Sequence, residues 1–344
     1  MPKISVILTS YNHAAYIAET IKSILNQTFK DFELIILENI SDDNSVDIIK
    51  SFNDDRIKFI QNPVNMGMVL SVNKGISLAK GKYIAHISSD DIWLPTKLEK
   101  QIKYLDENPN CGACFTKVLV INEEGVASKS VQNYQRVFDN ASNKNNIEWL
   151  KFFFNIGNSL CYPSALVRAE CYKNLGAFDA RYQIALDVDM WIRICTKYEI
   201  QIIDEILTKF RSGSNSTSSS SFSSDIFSYE SENIYYQYLD FENSLFSKIF
   251  EIDLPNLSRK DKAKILIEKC LEKGGNHINL AFRIFNEVFA NPQIEDATYI
   301  NDFFQKRKTA FKNFKLIKLG STYKAILFLK NLEKSVKKLR FWLV

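Results

Sequence analysis

Asp90 and Asp91 close the apolar run Lys82-Tyr83-Ile84-Ala85-His86-Ile87-Ser88-Ser89 and are followed at once by Ile92 and Trp93. Two carboxylates at the carboxyl end of a buried strand need positive charge beside them, and a hard divalent cation that also holds a diphosphate would supply it. Asp is equally a favoured N-cap and Pro95 a favoured first-turn residue, so the pair could instead cap a helix starting near Leu94. This stretch alone leaves both readings open.

A third acid stands out on a helical pattern. Trp191, Ile194, Cys195 and Tyr198 form an apolar face, and Asp187 lies one turn before Trp191, pointing inward toward a cleft. Asp189 lies four residues before Arg193, the spacing of an intrahelical ion pair. Asp187 is therefore the better candidate for a base, and Asp189 for a structural residue. The alternative for Asp187 is a first-turn carboxylate that stabilises the helix dipole.

The elements that must position these groups follow from four short apolar runs, Ile4 to Thr9, Phe32 to Glu38, Ile57 to Ile60 and Tyr83 to Ile87. They are rich in Ile, Leu and Phe with little alternation, the pattern of strands buried on both faces of a parallel sheet. Helical patterns lie between them: Ile17, Ile21, Ile24 and Leu25; Val46, Ile49 and Phe52; Val69, Val72, Ile76 and Ala79. This β-α-β-α-β-α-β order predicts an open α/β sheet with ligands outside the carboxyl ends of its strands. Those ends carry Thr9-Ser10-Tyr11-Asn12, Glu38-Asn39-Ile40-Ser41-Asp42-Asp43 and the Asp90-Asp91 pair. A helix from Leu94 to Asp106, a strand from Ala113 to Ile121 and a helix beginning near Asp187 are expected beyond them.

Several classes are excluded. No Gly-rich turn follows the first strand, where Ser10-Tyr11-Asn12-His13-Ala14 stands, which counts against a Rossmann dehydrogenase or methyltransferase, and no P-loop is present. The three His (His13, His86, His277) lack metal-ligand spacing. Cys111-Gly112-Ala113-Cys114 has the spacing of a dithiol motif but begins a strand, so buried thiols are expected. With 344 residues, 46% hydrophobic and 24% charged, the chain has the composition of a globular protein with a large core and an appendage. The amino-terminal apolar run is too short for a signal peptide, and no apolar stretch is long enough to span a bilayer, so a cytoplasmic protein is expected.

The residues resemble a family, the inverting family 2 glycosyltransferases with the GT-A fold. The resemblance rests on Ile4 to Asn12, Ser23-Ile24-Leu25-Asn26-Gln27-Thr28-Phe29, Phe32 to Asn39, Asn65-Met66-Gly67, Ser88 to Trp93, Leu175-Gly176-Ala177-Phe178-Asp179 and Asp187 to Arg193, in the family's order over residues 1–211. It implies an open, mostly parallel twisted sheet flanked by helices, followed by a helical C-terminal region. Thr9, Tyr11, Glu38 and Asn39 would bind the base and ribose of a sugar nucleotide; Asp90, with Asp91, would hold Mg2+ or Mn2+ against its diphosphate; Asp187 would deprotonate the acceptor hydroxyl. Trp93 and Trp191 are candidates for the acceptor site, plain packing being the alternative. Asn39 replaces the family's usual second Asp, and its amide matches the donor–acceptor edge of uracil, which favours a UDP-sugar. Ser88, Leu186 and Ile40 stand where the family usually has Asp, Glu and Gly. These departures leave a non-catalytic nucleotide-sugar or glycan-binding relative as the alternative. The Gln-x-x-Arg-Trp signature of processive members is absent, so one sugar per encounter is expected.

The chain divides on composition into residues 1–211, a linker at 212–225 and a helical region at 226–344. From Ser212 to Ser224 nine of thirteen residues are Ser. The net charge of +4 is uneven, because twelve Lys and Arg face one acid, Glu333, beyond residue 305. Phe328, Leu332, Val336, Leu339 and Leu343 recur at helical spacing among those cations, the pattern of a basic amphipathic helix lying on an anionic membrane. A helix packed on the body is the alternative. A membrane tail would suit a glycan or lipid-linked acceptor on the inner face of the cell membrane, in surface polysaccharide or lipopolysaccharide assembly. Nucleic-acid binding is not expected.

Overall fold

The computed structural model describes residues 1–213, 221–254, 256–275 and 277–290, with 296, 298–300, 302, 303 and 306. Along the chain run β1 (Ile4–Ser10), α1 (Ile17–Leu25), β2 (Phe32–Glu38), α2 (Ser45–Lys50), β3 (Ile57–Gln61), α3 (Gly67–Leu78), β4 (Tyr83–Ser88) and β5 (Ile92–Trp93). Then come α4 (Lys97–Glu107), β6 (Cys111–Ile121), α5 (Gln132–Asp139), α6 (Asn146–Asn155), β7 (Leu166–Arg168), α7 (Ala169–Leu175), α8 (Leu186–Cys195) and β8 (Glu199–Arg211). The helices α9 (Ser221–Tyr236), α10 (Asn243–Phe250), α11 (Arg259–Lys273) and α12 (His277–Val288) follow.

The eight strands form one sheet in the order β3-β2-β1-β4-β7-β6-β8-β5. The first four are parallel neighbours, and every residue of β2 is buried, as its uninterrupted apolar run requires; β3, expected to be buried on both faces, is instead a partly buried edge strand with Lys58 and Gln61 exposed. Beyond β4 the sheet is mixed, because β7 runs antiparallel to both β4 and β6, and β5 antiparallel to β8. Ile17, Ile21 and Ile24 of α1 are fully buried against this sheet with Leu98 and Leu105 of α4. Gly81 makes the tight entry into β4 possible, since a Cβ there would lie 2.4 Å from the Ser5 backbone nitrogen.

Three expectations change. The helix after the Asp pair starts at Lys97, not Leu94, with Thr96 at its N-cap and no side-chain cap, so Asp90 and Asp91 cap nothing. The Ser-rich linker does not reach 225, because α9 begins at Ser221. The compact units are Met1–Lys262 and Ala263–Val344, so α9 and α10 belong to the unit that carries the sheet. Tyr238, just beyond α9, shows why: its hydroxyl donates to the Leu150 carbonyl of α6 at 2.8 Å, and Gln237 reaches Asp189 of α8. In the second unit the core is apolar, with Phe285 stacked on Phe303 at 3.9 Å.

All six Cys are buried free thiols. Burial pushes the Cys111 thiol up to about 11, which disfavours the thiolate a redox pair needs. Among the described residues no helix is long and apolar enough to cross a membrane. The basic amphipathic tail lies outside the described residues.

Candidate active site

Parallel register assembles the donor side. Thr9 pairs with Leu37 on one flank and Ser88 on the other, and Ser10 pairs with Glu38, so the ends of β1, β2 and β4 share one edge. The loops leaving β1 and β2 are stitched together. The Asn12 N–H donates to Ser41 Oγ (2.9 Å), the Asp42 N–H to Asn12 Oδ1 (2.8 Å), the His13 N–H to Ser45 Oγ (3.1 Å) and the Ala14 N–H to Asp43 Oδ2 (2.8 Å). Tyr11, 43% exposed, stands on this rim and Thr9 is half-buried beneath it.

Glu38 has a different place from the one expected of a direct ligand contact. It is fully buried, and its carboxylate accepts the N–H groups of Ile40 (3.0 Å) and Ser41 (2.7 Å) and the Gln61 amide (3.1 Å). Those bonds hold Ile40 at φ 58, a left-handed conformation that a β-branched side chain adopts only under strain. Ile40→Gly should therefore raise stability by about 1 kcal/mol, relieved strain outweighing the glycine's extra unfolded-state entropy. Urea unfolding of the two proteins checks this, and a lower midpoint for the variant refutes it.

Asn39 is 3% exposed, and its Oδ1 already accepts from Asn62 Nδ2 and Ser71 Oγ, both at 2.8 Å. Lys74 Nζ holds Asn62 in turn at 2.8 Å. With both lone pairs of the carbonyl occupied, Asn39 presents only its N–H donors. The side-by-side donor and acceptor expected for uracil is not displayed, because tertiary neighbours consume the acceptor.

The turn carrying the acid pair is gripped from two sides. Thr20 Oγ1 of α1 donates to the carbonyls of Ser89 (3.0 Å) and Asp91 (2.8 Å), and Arg211, ending β8, donates from Nε to the Asp90 carbonyl (2.9 Å). Among the described residues no side-chain donor engages the Asp90 carboxyl. Burial raises its pKa, with His13 and Arg211 opposing. Asp91 is turned inward: it is 1% exposed, Oδ1 accepts the Arg211 N–H at 2.9 Å, and Oδ2 is buried without a partner. Burial first, then the charge of Asp90, pushes its carboxyl well up. Asp91 is thus a fastener for β8 and not the second open ligand expected.

No cluster of three metal-binding side chains exists among the described residues. One half-buried carboxylate with no side-chain donor, beside a second acid with an orphaned oxygen, nevertheless fits a hard cation that takes its remaining ligands from a diphosphate and water. The residue that would hold it is Asp90.

On the other side, Asp187 sits in the first turn of α8. Asn158 Nδ2 donates to its Oδ2 at 2.7 Å and the Val188 N–H to its Oδ1 at 2.8 Å. Burial lifts this carboxyl to about 7, the range a general base needs near neutrality. The two sides converge on buried Cys161, whose thiol is pushed up by burial and by the charges of both Asp91 and Asp187. Asp189 makes the expected ion pair with Arg193 at 2.7 Å. Arg193 also binds the carbonyls of Leu175 (2.9 Å) and Ala177 (3.0 Å), which ties the Leu175–Asp179 segment to α8.

Both tryptophans are core residues, not an acceptor surface. Trp93, 2% exposed, donates from Nε1 to the Pro163 carbonyl (2.9 Å) and faces the buried Lys97 amine at 4.1 Å. Trp191, 0% exposed, packs edge-on against Phe115 at 4.8 Å. Asn158 and Arg211, which sequence reasoning missed, lie in a loop and at a strand end with no local pattern to mark them.

An open mixed sheet flanked by helices, with an acid at the end of its fourth strand and a half-buried acid in the first turn of α8, is a GT-A-like fold. The sequence profile described as Glycosyl transferase family 2 matches residues 5–173. An uncharacterized glycosyltransferase of Methanocaldococcus jannaschii is 38% identical over 61% of this chain and 71% of its own length. The putative glycosyltransferase EpsE of Bacillus subtilis is 32% identical over 65% of this chain and 78% of its length. The Escherichia coli UDP-Glc:alpha-D-GlcNAc-diphosphoundecaprenol beta-1,3-glucosyltransferase WfgD is 29% identical over 64% and 81%. Among solved structures, S. aureus TarS 1–349 in complex with UDP-GlcNAc shares the fold with a TM-score of 0.58 at 20% identity, covering 88% of this chain and 81% of that one. The chain spans 49% of the longer TarS chain. Mannosyltransferase PcManGT from Pyrobaculum calidifontis, in complex with GDP-Man and Mn2+, has a TM-score of 0.52 at 15% identity over 92% and 88%. The chain belongs to glycosyl transferase family 2.

Proposed function

We propose that this glycosyltransferase moves a sugar from a UDP-sugar to a lipid-linked glycan, with inversion and one residue at a time, in surface-polysaccharide assembly. The observation that carries the proposal is Asp187, a desolvated carboxyl lifted to about 7 and held by Asn158 opposite the Asp90 turn. Relatives that use UDP-glucose and a diphosphoundecaprenol-linked acceptor, and a TarS complex with UDP-GlcNAc, support the donor and acceptor classes. A GDP-mannose complex in the same fold makes GDP-sugars the competing donor class.

In this reading Thr9, Tyr11 and the Asn39 N–H donors hold the nucleoside, with Glu38 shaping the loop beneath it. Asp187 Oδ1 or Oδ2 takes the proton of the acceptor hydroxyl as that oxygen attacks the anomeric carbon in line, opposite the leaving diphosphate. Mg2+ or Mn2+ on Asp90, when bound, supplies positive charge against that diphosphate. The Arg211 and Thr20 bonds keep the Asp90 turn in one geometry through the reaction, so little reorganisation is needed. A cytoplasmic protein peripheral to the membrane through residues 306–344 completes the proposal.

Thermal melting with UDP-, dTDP-, GDP- and CMP-sugars, with and without Mn2+, tests the donor. At about 100 times Kd a bound donor adds about 2.7 kcal/mol, a shift of several degrees. A rise with UDP-sugars is expected; a rise with GDP-sugars alone moves the donor to that class, and no rise with any of the four removes the donor assignment.

A further inference from the structure

Helix α8 has no cap of its own. Ala185 occupies its N-cap position and no side-chain cap is present there. A carboxylate from 45 residues downstream takes over: Glu230 on α9 accepts the N–H of Gln183 (2.6 Å), of Ile184 (2.9 Å) and of Ala185 (2.8 Å). Glu230 is 3% exposed. A buried carboxylate is retained at large desolvation cost unless its hydrogen bonds are nearly complete, and three charge-assisted bonds to consecutive amides meet that condition.

Those amides lead directly into the turn that carries Asp187. The backbone of 183–185 sets where the Asp187 Cα starts, and Asn158 sets where its Oδ2 ends. We propose that Glu230 is a positioning residue for the acceptor-side base, so that a helix beyond the Ser-rich segment completes the site. This rests on the reading of Asp187 as that base. The groups facing Asp187 are the Asn158 amide, the Val188 N–H, Cys161 and Tyr162. Loss of Glu230 takes from the partly buried amides of Gln183 and Ile184 and the buried amide of Ala185 the carboxylate they share, and frees the turn.

The decisive measurement, a titration, needs no acceptor. In full-length protein labelled with 13C at Asp carboxyls, the Asp187 resonance is identified by its loss in Asp187→Asn and titrated by NMR. In the wild type its midpoint should lie near 7. Glu230→Gln keeps the length but offers one acceptor oxygen to three amides, and should drop the midpoint by at least about one unit as water reaches the carboxyl. Tyr238→Phe, which removes the bond to the Leu150 carbonyl near the same helix, is the control for general loosening. It should leave the midpoint in place. With UDP-glucose as donor and a GlcNAc-diphospholipid as acceptor, kcat should fall roughly 10- to 100-fold in Glu230→Gln with the donor KM unchanged. An unchanged midpoint in Glu230→Gln, or an equal drop in Tyr238→Phe, overturns the inference. A wild-type midpoint in the ordinary carboxylate range instead overturns the reading of Asp187. Should Glu230→Gln not fold, Glu230→Asp, which keeps the charge and shortens its reach, is read by the same titration.

Discussion

Asp187→Asn should slow sugar transfer by about 10²- to 10⁴-fold while leaving nucleotide affinity unchanged, the range that removal of a general base produces. The amide keeps the size of the side chain and an acceptor for the Val188 N–H, so the fold is preserved. Wild-type kcat/KM should rise with pH up to about 7, where the Asp187 carboxyl loses its proton, and level off above it. The sign for stability is the opposite. The folded protein holds this proton to higher pH than the unfolded chain does, so stability falls as pH rises from the ordinary carboxyl value of 3.8 to about 7. Asp187→Asn escapes that loss and should be more stable than the wild type at pH 8, on the order of a few kcal/mol. Guanidinium unfolding at pH 5 and pH 8 measures the difference. A variant that keeps wild-type turnover ends the assignment of Asp187 as the base.

Asp90→Ala should lower kcat/KM about 10²- to 10³-fold, the scale of losing one electrostatic contact to charge that develops in the transition state. Any response of turnover or melting temperature to Mn2+ should disappear with it. Unfolding cannot be the cause, because the same change should raise stability: it relieves Asp91, whose buried carboxyl is pushed up by the neighbouring charge after burial itself. Lower activity with a higher melting point, seen in one preparation by coupled UDP release and calorimetry, is the expected pairing. Turnover and Mn2+ response equal to the wild type would remove Asp90 from the chemistry.

Much of this was legible in the chain because the signals are local. The runs that became β1, β2 and β4 are buried almost throughout, so each reads as nearly unbroken apolar sequence, the edge strand β3 is only partly buried, and the boundaries of all four moved by one residue at most. The Asp189–Arg193 pair is a matter of helical spacing alone. Where the reading failed, the missing information was a distant neighbour. Trp93 and Trp191 carry the residue type of a sugar platform, but Pro163 and Phe115 enclose them. Asn39 carries the right amide, but Asn62 and Ser71 occupy its carbonyl.

Residue order by itself determined that four parallel strands bring Thr9, Glu38 and the Asp90-Asp91 pair to a common edge, since hydrophobic pattern and register are properties of segments. Only the folded chain decided which of those groups stays open. Arg211, 120 residues from Asp91, draws that acid inward and leaves Asp90 outward, and Glu230, 45 residues beyond Ala185, sets the entry of the helix that bears Asp187. Hydrogen-bond partners are assigned by proximity in space, and a one-dimensional pattern carries no record of which distant donor will arrive.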